Sequence, residues 1–378
     1  MRILVLGFTG YLGTHVVEGL RALPGALVLG GGRAPTADHR IDLATVGRDQ
    51  LAKTLAAVAP DTVINCAGAT GGDPVTLAEV NARGPAVLCA ALREATPGAR
   101  LVHLGSAAEY GPGVPDVRVT ESAATRPLAP YGATKLAGTI AVTTSGLDAV
   151  VLRVGNPVGP GAPSTGLPGR IAGLLRAAGP DPDAVLPLGD LSAHRDFVDV
   201  RDVARAAVLA ATAPGPLPPV LNIGGGRAVP VREVVRGLAD KAGFRGRIAE
   251  NAAGSGGAVG RTGPAGAAGA GGAAGAAGSA RVVGGAASAD AAHAAGGAGP
   301  TGSAQAFASV RSADVSWQCS DITAAEAALG WRPTHTLDDA LTALWESGER
   351  GGGGEGGDGR ERGGGRLGGG GRKGDGGS

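Results

Sequence analysis

The chain has 378 residues, 43% of them hydrophobic, and a formal net charge of +1 at neutral pH. That is apolar material for a sizeable core in one domain or two, and the near-neutral balance points to neither a nucleic acid nor an acidic surface as partner. Cys66, Cys89 and Cys319 form no disulfide framework, and neither they nor His15, His39, His103, His194 and His335 show metal-ligand spacing, so no metal site is expected. A strand that begins at residue 2 leaves no room for a signal peptide, and no apolar run approaches the ~20 residues of a membrane span; a cytoplasmic protein is expected.

Arg2-Ile3-Leu4-Val5-Leu6 predicts a strand. Gly7-Phe8-Thr9-Gly10-Tyr11-Leu12-Gly13 follows at once, and 14–22 predicts a helix with Val16, Val17 and Leu20 apolar. Strand, glycine turn and helix in that order make a cradle for a dinucleotide. The glycines allow a tight turn and a close approach of backbone to pyrophosphate, and the helix start offers it free N–H groups. An NAD binder usually carries an acid about 20 residues beyond this turn, for the ribose 2′-OH. Here the stretch is Leu29-Gly30-Gly31-Gly32-Arg33, with no acid. The planar guanidinium of Arg33 suits a 2′-phosphate, which favours NADP(H) over NAD(H).

Further strands are predicted at 26–29, 62–65, 101–104 and 150–154, and helices at 46–58, 77–95 and 131–144. The alternation implies a parallel sheet with helices on both faces and a ligand at the carboxyl ends of its strands. Tyr131 and Lys135 stand one turn apart on the last of these helices. An ammonium ion beside a phenol favours the phenolate, which makes the pair a tuned acid/base for a carbonyl or alcohol oxygen. Residues 252–308 are almost wholly Gly, Ala and Ser, and 347–378 are mostly glycine with scattered charges; both are expected to be disordered. The basic tail lacks aromatics to stack bases, so nucleic acid is not expected as a partner.

These motifs, in this order, resemble the extended short-chain dehydrogenase/reductases of the NAD-dependent epimerase/dehydratase family, which act on nucleotide sugars. The match covers about 1–250 and 310–346. Asp42-Leu43 resembles the pair beside the adenine, and Asn65-Cys66-Ala67-Gly68 a small-residue motif after a strand. Leu104 to Gly111 resembles the strand that carries the family's serine, at Ser106, and Pro130 to Lys135 its helix of tyrosine and lysine. Arg153-Val154-Gly155-Asn156 and Arg195-Asp196-Phe197 resemble two further motifs, and Gly330-Trp331-Arg332-Pro333 closes the series. The resemblance implies a Rossmann-type doubly wound parallel sheet in 1–155, with parts of 195–225 returning to it. A smaller C-terminal α/β substrate domain would take 156–251 and 309–346.

The resemblance also implies roles. Ser106, Tyr131 and Lys135 would be catalytic, with Lys135 also on the nicotinamide ribose. The dinucleotide would meet residues 7–13, Arg33, Asp42, Leu43, Cys66, Ala67 and Gly68. The nucleotide sugar would meet Ser106, Asn156, Arg195 and Arg311. A homodimer through helices 77–95 and 131–144 is implied as well. The family's 4,6-dehydratases carry an Asp-Glu pair where this chain has Ala107 and Ala108, which disfavours water elimination. Glu109-Tyr110-Gly111 and the C-terminal motif are closest in look to the GDP-4-keto-6-deoxymannose reductase group. The expectation is a reductase of a nucleotide 4-keto-deoxysugar. An epimerase that retains NAD+ is the alternative, and a catalytically silent regulatory or RNA-binding Rossmann protein is the reading from another class.

Overall fold

The computed structural model describes residues 1–250 and 315–351. In chain order the first half comprises β1 (Arg2–Leu6), α1 (Tyr11–Arg21), β2 (Leu27–Gly32), β3 (His39–Arg40), α2 (Arg48–Val58), β4 (Thr62–Asn65), α3 (Pro74–Ala78), α4 (Gly84–Ala95), β5 (Arg100–Ser106), α5 (Pro130–Thr143) and β6 (Ala149–Val154). Then come β7 (Asn156–Val158), α6 (Leu167–Ala178), β8 (Val185–Leu188), β9 (His194–Asp199), α7 (Val200–Thr212), β10 (Val220–Ile223), β11 (Ala228–Pro230), α8 (Val231–Lys241), β12 (Arg247–Glu250), α9 (Thr323–Leu329) and α10 (Leu337–Gly351).

Seven parallel strands form one sheet in the order β10-β6-β5-β4-β1-β2-β3. The central strand shows why. Ile3 and Val5 enter the cluster with Val16 and Leu20 of α1 and Val203 and Ala207 of α7. Leu4 and Leu6 enter the opposite cluster with Leu51 and Leu55 of α2 and Leu88 and Leu92 of α4. A strand covered on both faces is apolar on both faces, as parallel sheets require. Gly19 of α1 lets α7 lie close: an added Cβ there would come within 3.2 Å of Val208 Cγ2. The strand order reverses between β1 and β4, so a crevice opens at their carboxyl ends.

The expected helix 77–95 begins earlier and is not one regular helix. Asp73 caps α3 by accepting from the Val75 and Thr76 amides at 2.8 and 3.2 Å. A π turn, Glu79–Arg83, then joins α3 to α4. α10 runs through Gly351, so the chain is helical past residue 347, where the tail was expected to lose structure. The expected insertion at 252–308 and the rest of that tail lie outside the described residues, as does Arg311.

Short strands build a second cluster beyond β6. β11-β9-β7 form a three-stranded sheet and β12-β8 a parallel pair. Ile171, Leu175, Leu186, Val234, Leu238 and Leu341 pack there. The chain at 316–321 is pinned between these parts. His194 donates its amide to the Ser316 carbonyl at 2.9 Å, Gly113 to that of Trp317 at 3.0 Å and Val119 to that of Cys319 at 2.8 Å. Among the described residues no helix is long and apolar enough to cross a membrane.

Asp196 of β9 is the hub of this junction. It is fully buried, and its carboxylate accepts from the Gly225 amide at 2.6 Å and the Ser320 amide at 2.9 Å. Burial outweighs these hydrogen bonds and pushes its carboxyl up to about 6. An acid whose folded value is raised binds more protons folded than unfolded, so its contribution to stability is present below about 4 and is lost as pH rises through about 6. The difference amounts to about 3 kcal/mol. The stability gap between wild type and Asp196→Asn, measured by thermal melts, should therefore shrink from pH 4 to 7. A widening gap would mean that the hydrogen bonds dominate instead.

Candidate functional site

The glycine turn leaves β1 with Gly7 at φ +74°. A Cβ there would lie 2.7 Å from the Ala67 amide nitrogen, so the two crevice walls meet backbone to backbone. A Cβ on Gly13 would run into the Gly7 carbonyl. α1 starts at Gly10 with no side-chain cap and no acid in its first turn. Its first amides are thus left for an anion, the arrangement that suits a pyrophosphate. The cradle fits a dinucleotide on these grounds. A cavity of about 480 Å³ opens beside it, lined by Thr9, Gly10, Tyr11, Thr14, His15, Pro160, Gly161 and Pro163. Ser106, Tyr131 and Lys135 do not line that cavity.

The other expected cofactor residues lie around the same strand ends. Phe8 packs so closely over β2 that a Cβ on Gly30 would sit 2.9 Å from its ring. Arg33 follows β2 directly and is exposed. The loop after it folds back, with Asp38 accepting from the Gly30 amide at 2.7 Å. Asp42 accepts from the Ala44 amide at 3.1 Å, and Leu43 is buried. The turn after β4 is held by Asn65, which accepts from the Ala67 amide at 3.1 Å. Cys66 is half-buried, and burial pushes its thiol up to about 12 despite the Lys135 charge.

Asn81, which the sequence reading missed, sits inside the π turn. It is buried, accepts from the Ala69 amide at 2.9 Å and donates to the Ala69 carbonyl at 2.8 Å and to Thr134 Oγ1 at 3.3 Å. One side chain thus ties the turn after β4 to α5. A polar residue followed by Gly84 inside an apolar helix was the available signal. Single π turns often mark functional sites.

The glycines of α5 let it lie close against the turn after β5 and against the π turn. A Cβ on Gly132 would be 3.0 Å from Pro127 Cβ and would crowd the Ala108 carbonyl, two residues past Ser106. A Cβ on Gly138 would strike the Asn81 carbonyl. Lys135 is only 5% exposed, and its Nζ donates to the Leu104 carbonyl at 2.5 Å. Burial lowers its ordinary value, and the charge of Glu109 opposes that. A Cβ on Gly68 would lie 3.9 Å from Nζ, so the ammonium faces the β4 turn. Tyr131 is half-buried in the first turn of α5. Ser106 ends β5 with Oγ accepting from the Ala108 amide at 3.2 Å. Beneath them His103 is fully buried and shares 3.1 Å with Asn65 Nδ2, and burial holds it well below its ordinary value, hence neutral.

The expected substrate residues are placed less openly. Asn156 spends its amide hydrogens on the Asp196 carbonyl at 3.1 Å and on Gln318 Oε1 at 3.0 Å. Arg195 is buried in β9 and donates to the His194 carbonyl at 2.9 Å. Gln318 joins this wall without any sequence signal. Trp317 lies beside it, its ring 4.7 Å from that of His194.

A doubly wound sheet, a glycine turn at its switch point and a buried lysine one helical turn from a tyrosine define a Rossmann-type dinucleotide enzyme. The comparisons place it further. The model of the NAD dependent epimerase/dehydratase family matches residues 3–224. The chain is 33% identical over 359 residues to the dTDP-6-deoxy-L-talose 4-dehydrogenase (NAD(P)(+)) of Kitasatospora kifunensis, covering 91% of this chain and 94% of that one. It is 29% identical over 265 residues to the GDP-6-deoxy-D-mannose reductase of Pseudomonas aeruginosa, covering 67% and 84%. Among solved structures, MoeE5 in complex with UDP-glucose and NAD matches with a TM-score of 0.68 at 26% identity, over 93% of this chain and 99% of that one. The chain belongs to the NAD-dependent epimerase/dehydratase family, whose members are NAD(P)-dependent enzymes that modify nucleotide sugars.

Proposed function

We propose that the protein is an NADP(H)-dependent reductase of a nucleotide 4-keto-6-deoxysugar, with Tyr131 as proton donor. The observation that carries this reading is the buried Lys135, locked to Leu104 one turn behind Tyr131. Its charge favours the phenolate and tunes the phenol toward proton transfer near neutral pH. In this account the Tyr131 hydroxyl gives its proton to the C4 oxygen of the sugar while Ser106 donates a hydrogen bond to that oxygen. The bound nicotinamide supplies the hydride. Residues 7–13, Arg33, Asp42, Leu43 and 66–68 hold the dinucleotide, Lys135 its nicotinamide ribose, and Asn156, Arg195 and Arg311 the nucleotide sugar. Ala107 and Ala108 offer no carboxyl group for water elimination. The names of the Kitasatospora and Pseudomonas relatives, a 6-deoxysugar 4-dehydrogenase and a 6-deoxysugar reductase, describe the same carbon chemistry in its two directions. A homodimer through α4 and α5 belongs to the same reading, and the 53% exposure of Ile140 on α5 supports it.

The test is turnover of dTDP-, GDP- and UDP-linked 4-keto-6-deoxysugars with NADPH. Wild type should consume NADPH stoichiometrically, and Tyr131→Phe should lose about 10²–10⁴-fold in kcat while its dinucleotide affinity stays within a few-fold. Protein purified with tightly held NAD+ and showing no net NADPH consumption would instead be an epimerase.

Arg33 decides the dinucleotide in this account. Arg33→Ala should weaken NADPH binding by about ten-fold and leave NADH binding nearly unchanged, because only the former presents a 2′-phosphate to the lost fork. Equal loss for both, measured by fluorescence titration, would remove Arg33 from this role.

A further inference from the structure

Two motif residues have no task in the proposed chemistry, Glu109 after the serine strand and Arg153 before Asn156. The fold joins them. Glu109 is 0% exposed, and its Oε2 accepts from Arg153 Nε at 2.8 Å. Its Oε1 accepts from the backbone amide of Ser106, also at 2.8 Å. Arg153 in turn lies 4.6 Å over the ring of Tyr110, whose hydroxyl donates to Asn222 Oδ1 at 2.8 Å. Asn222 Nδ2 then donates to the carbonyls of Val119 and Asp321 at 2.9 and 3.1 Å. A continuous polar chain therefore runs from Ser106 to the segment that closes over β9.

A buried ion pair is a poor way to gain stability, because desolvation of both charges rivals their attraction. An apolar pair of similar size would fill this space at least as well. What such a pair can do is fix a geometry. With the Ser106 amide clamped and Oγ accepting from Ala108, the hydroxyl's own hydrogen is what it can offer a substrate oxygen. We propose that Glu109, held by Arg153, is the positioning residue of Ser106 and acts on catalysis through that serine. The proposal rests on the reading of Ser106 as the hydrogen-bond donor to the sugar oxygen. A second effect follows from the same carboxylate, whose charge counters the influence of burial on Lys135.

The experiment is a double-mutant cycle of Glu109→Gln and Ser106→Ala, assayed with NADPH and the keto-sugar that the wild type reduces. Glu109→Gln should lower kcat about ten-fold or more, leave the KM for NADPH within about two-fold, and cost at least several-fold less in the Ser106→Ala background, where only its lost charge on Lys135 remains. An equal cost in both backgrounds, or no cost in either, overturns the positioning role. Full activity of Ser106→Ala alone overturns the serine reading itself, which separates the two failures. If Glu109→Gln does not fold, Arg153→Lys keeps the cation and loses the fork; its smaller loss must likewise shrink without Ser106, and a loss that persists undiminished contradicts the proposal. The clamp is also read without any substrate: the Ser106 amide should exchange slowly with deuterium in wild type and faster in the folded variant. Equal exchange in the two overturns it.

Discussion

The ammonium group of Lys135 is stripped of water in the seam between α5 and β5, and much of the local structure follows from that. A buried cation is tolerated only where oxygen ligands and opposite charge replace its hydration. Leu104 supplies the carbonyl oxygen and Glu109 the nearby charge. Both come from the end of β5 or the turn after it, so the helix is fixed against the strand end that carries Ser106. Gly132 allows the close approach to the turn after β5, and Gly138 and Asn81 seat the other side. Tyr131 stands in the first turn of the helix fixed in this way.

The second constraint is backbone density at the switch point. Gly7 touches the Ala67 amide and Gly13 the Gly7 carbonyl with no room for a side chain. Such contact brings two strand ends and a helix start to one place, which is what a pyrophosphate needs. Residues 316–321 have no regular structure of their own. They are fixed by amides paired with His194, Gly113 and Val119 and by the Asp196 carboxylate. In the proposed reading the cofactor side comes from regular elements and the substrate side from a segment whose shape depends on the residues around it.

That division accounts for what the sequence made legible. Strands buried on both faces write continuous apolar runs, so 62–65 and 150–154 could be read almost to the residue, and the glycine turn announced itself by its position after β1. The π turn could not be read, because Asn81 does its work across the chain at Ala69 and Thr134 while its own neighbourhood reads as helix. β7 and β11 were equally silent: three residues each, both containing proline, they show no period. Glu109 and Arg153 were visible as motif members, yet their pairing lies 44 residues apart in sequence and needs the fold to appear. Asn156 and Arg195 were legible as motif residues, but not the buried contacts that occupy them.

The tuning proposed for the Tyr131 phenol can be tested directly. The chain has three tyrosines, and burial pushes the phenols of Tyr11 and Tyr110 up from their ordinary range. The first phenolate to appear in an ultraviolet titration of the apo protein should therefore be that of Tyr131. It should be absent in Tyr131→Phe and shifted upward in Lys135→Met. A titration in which the first phenolate persists in Tyr131→Phe, or in which Lys135→Met changes nothing, would contradict the account.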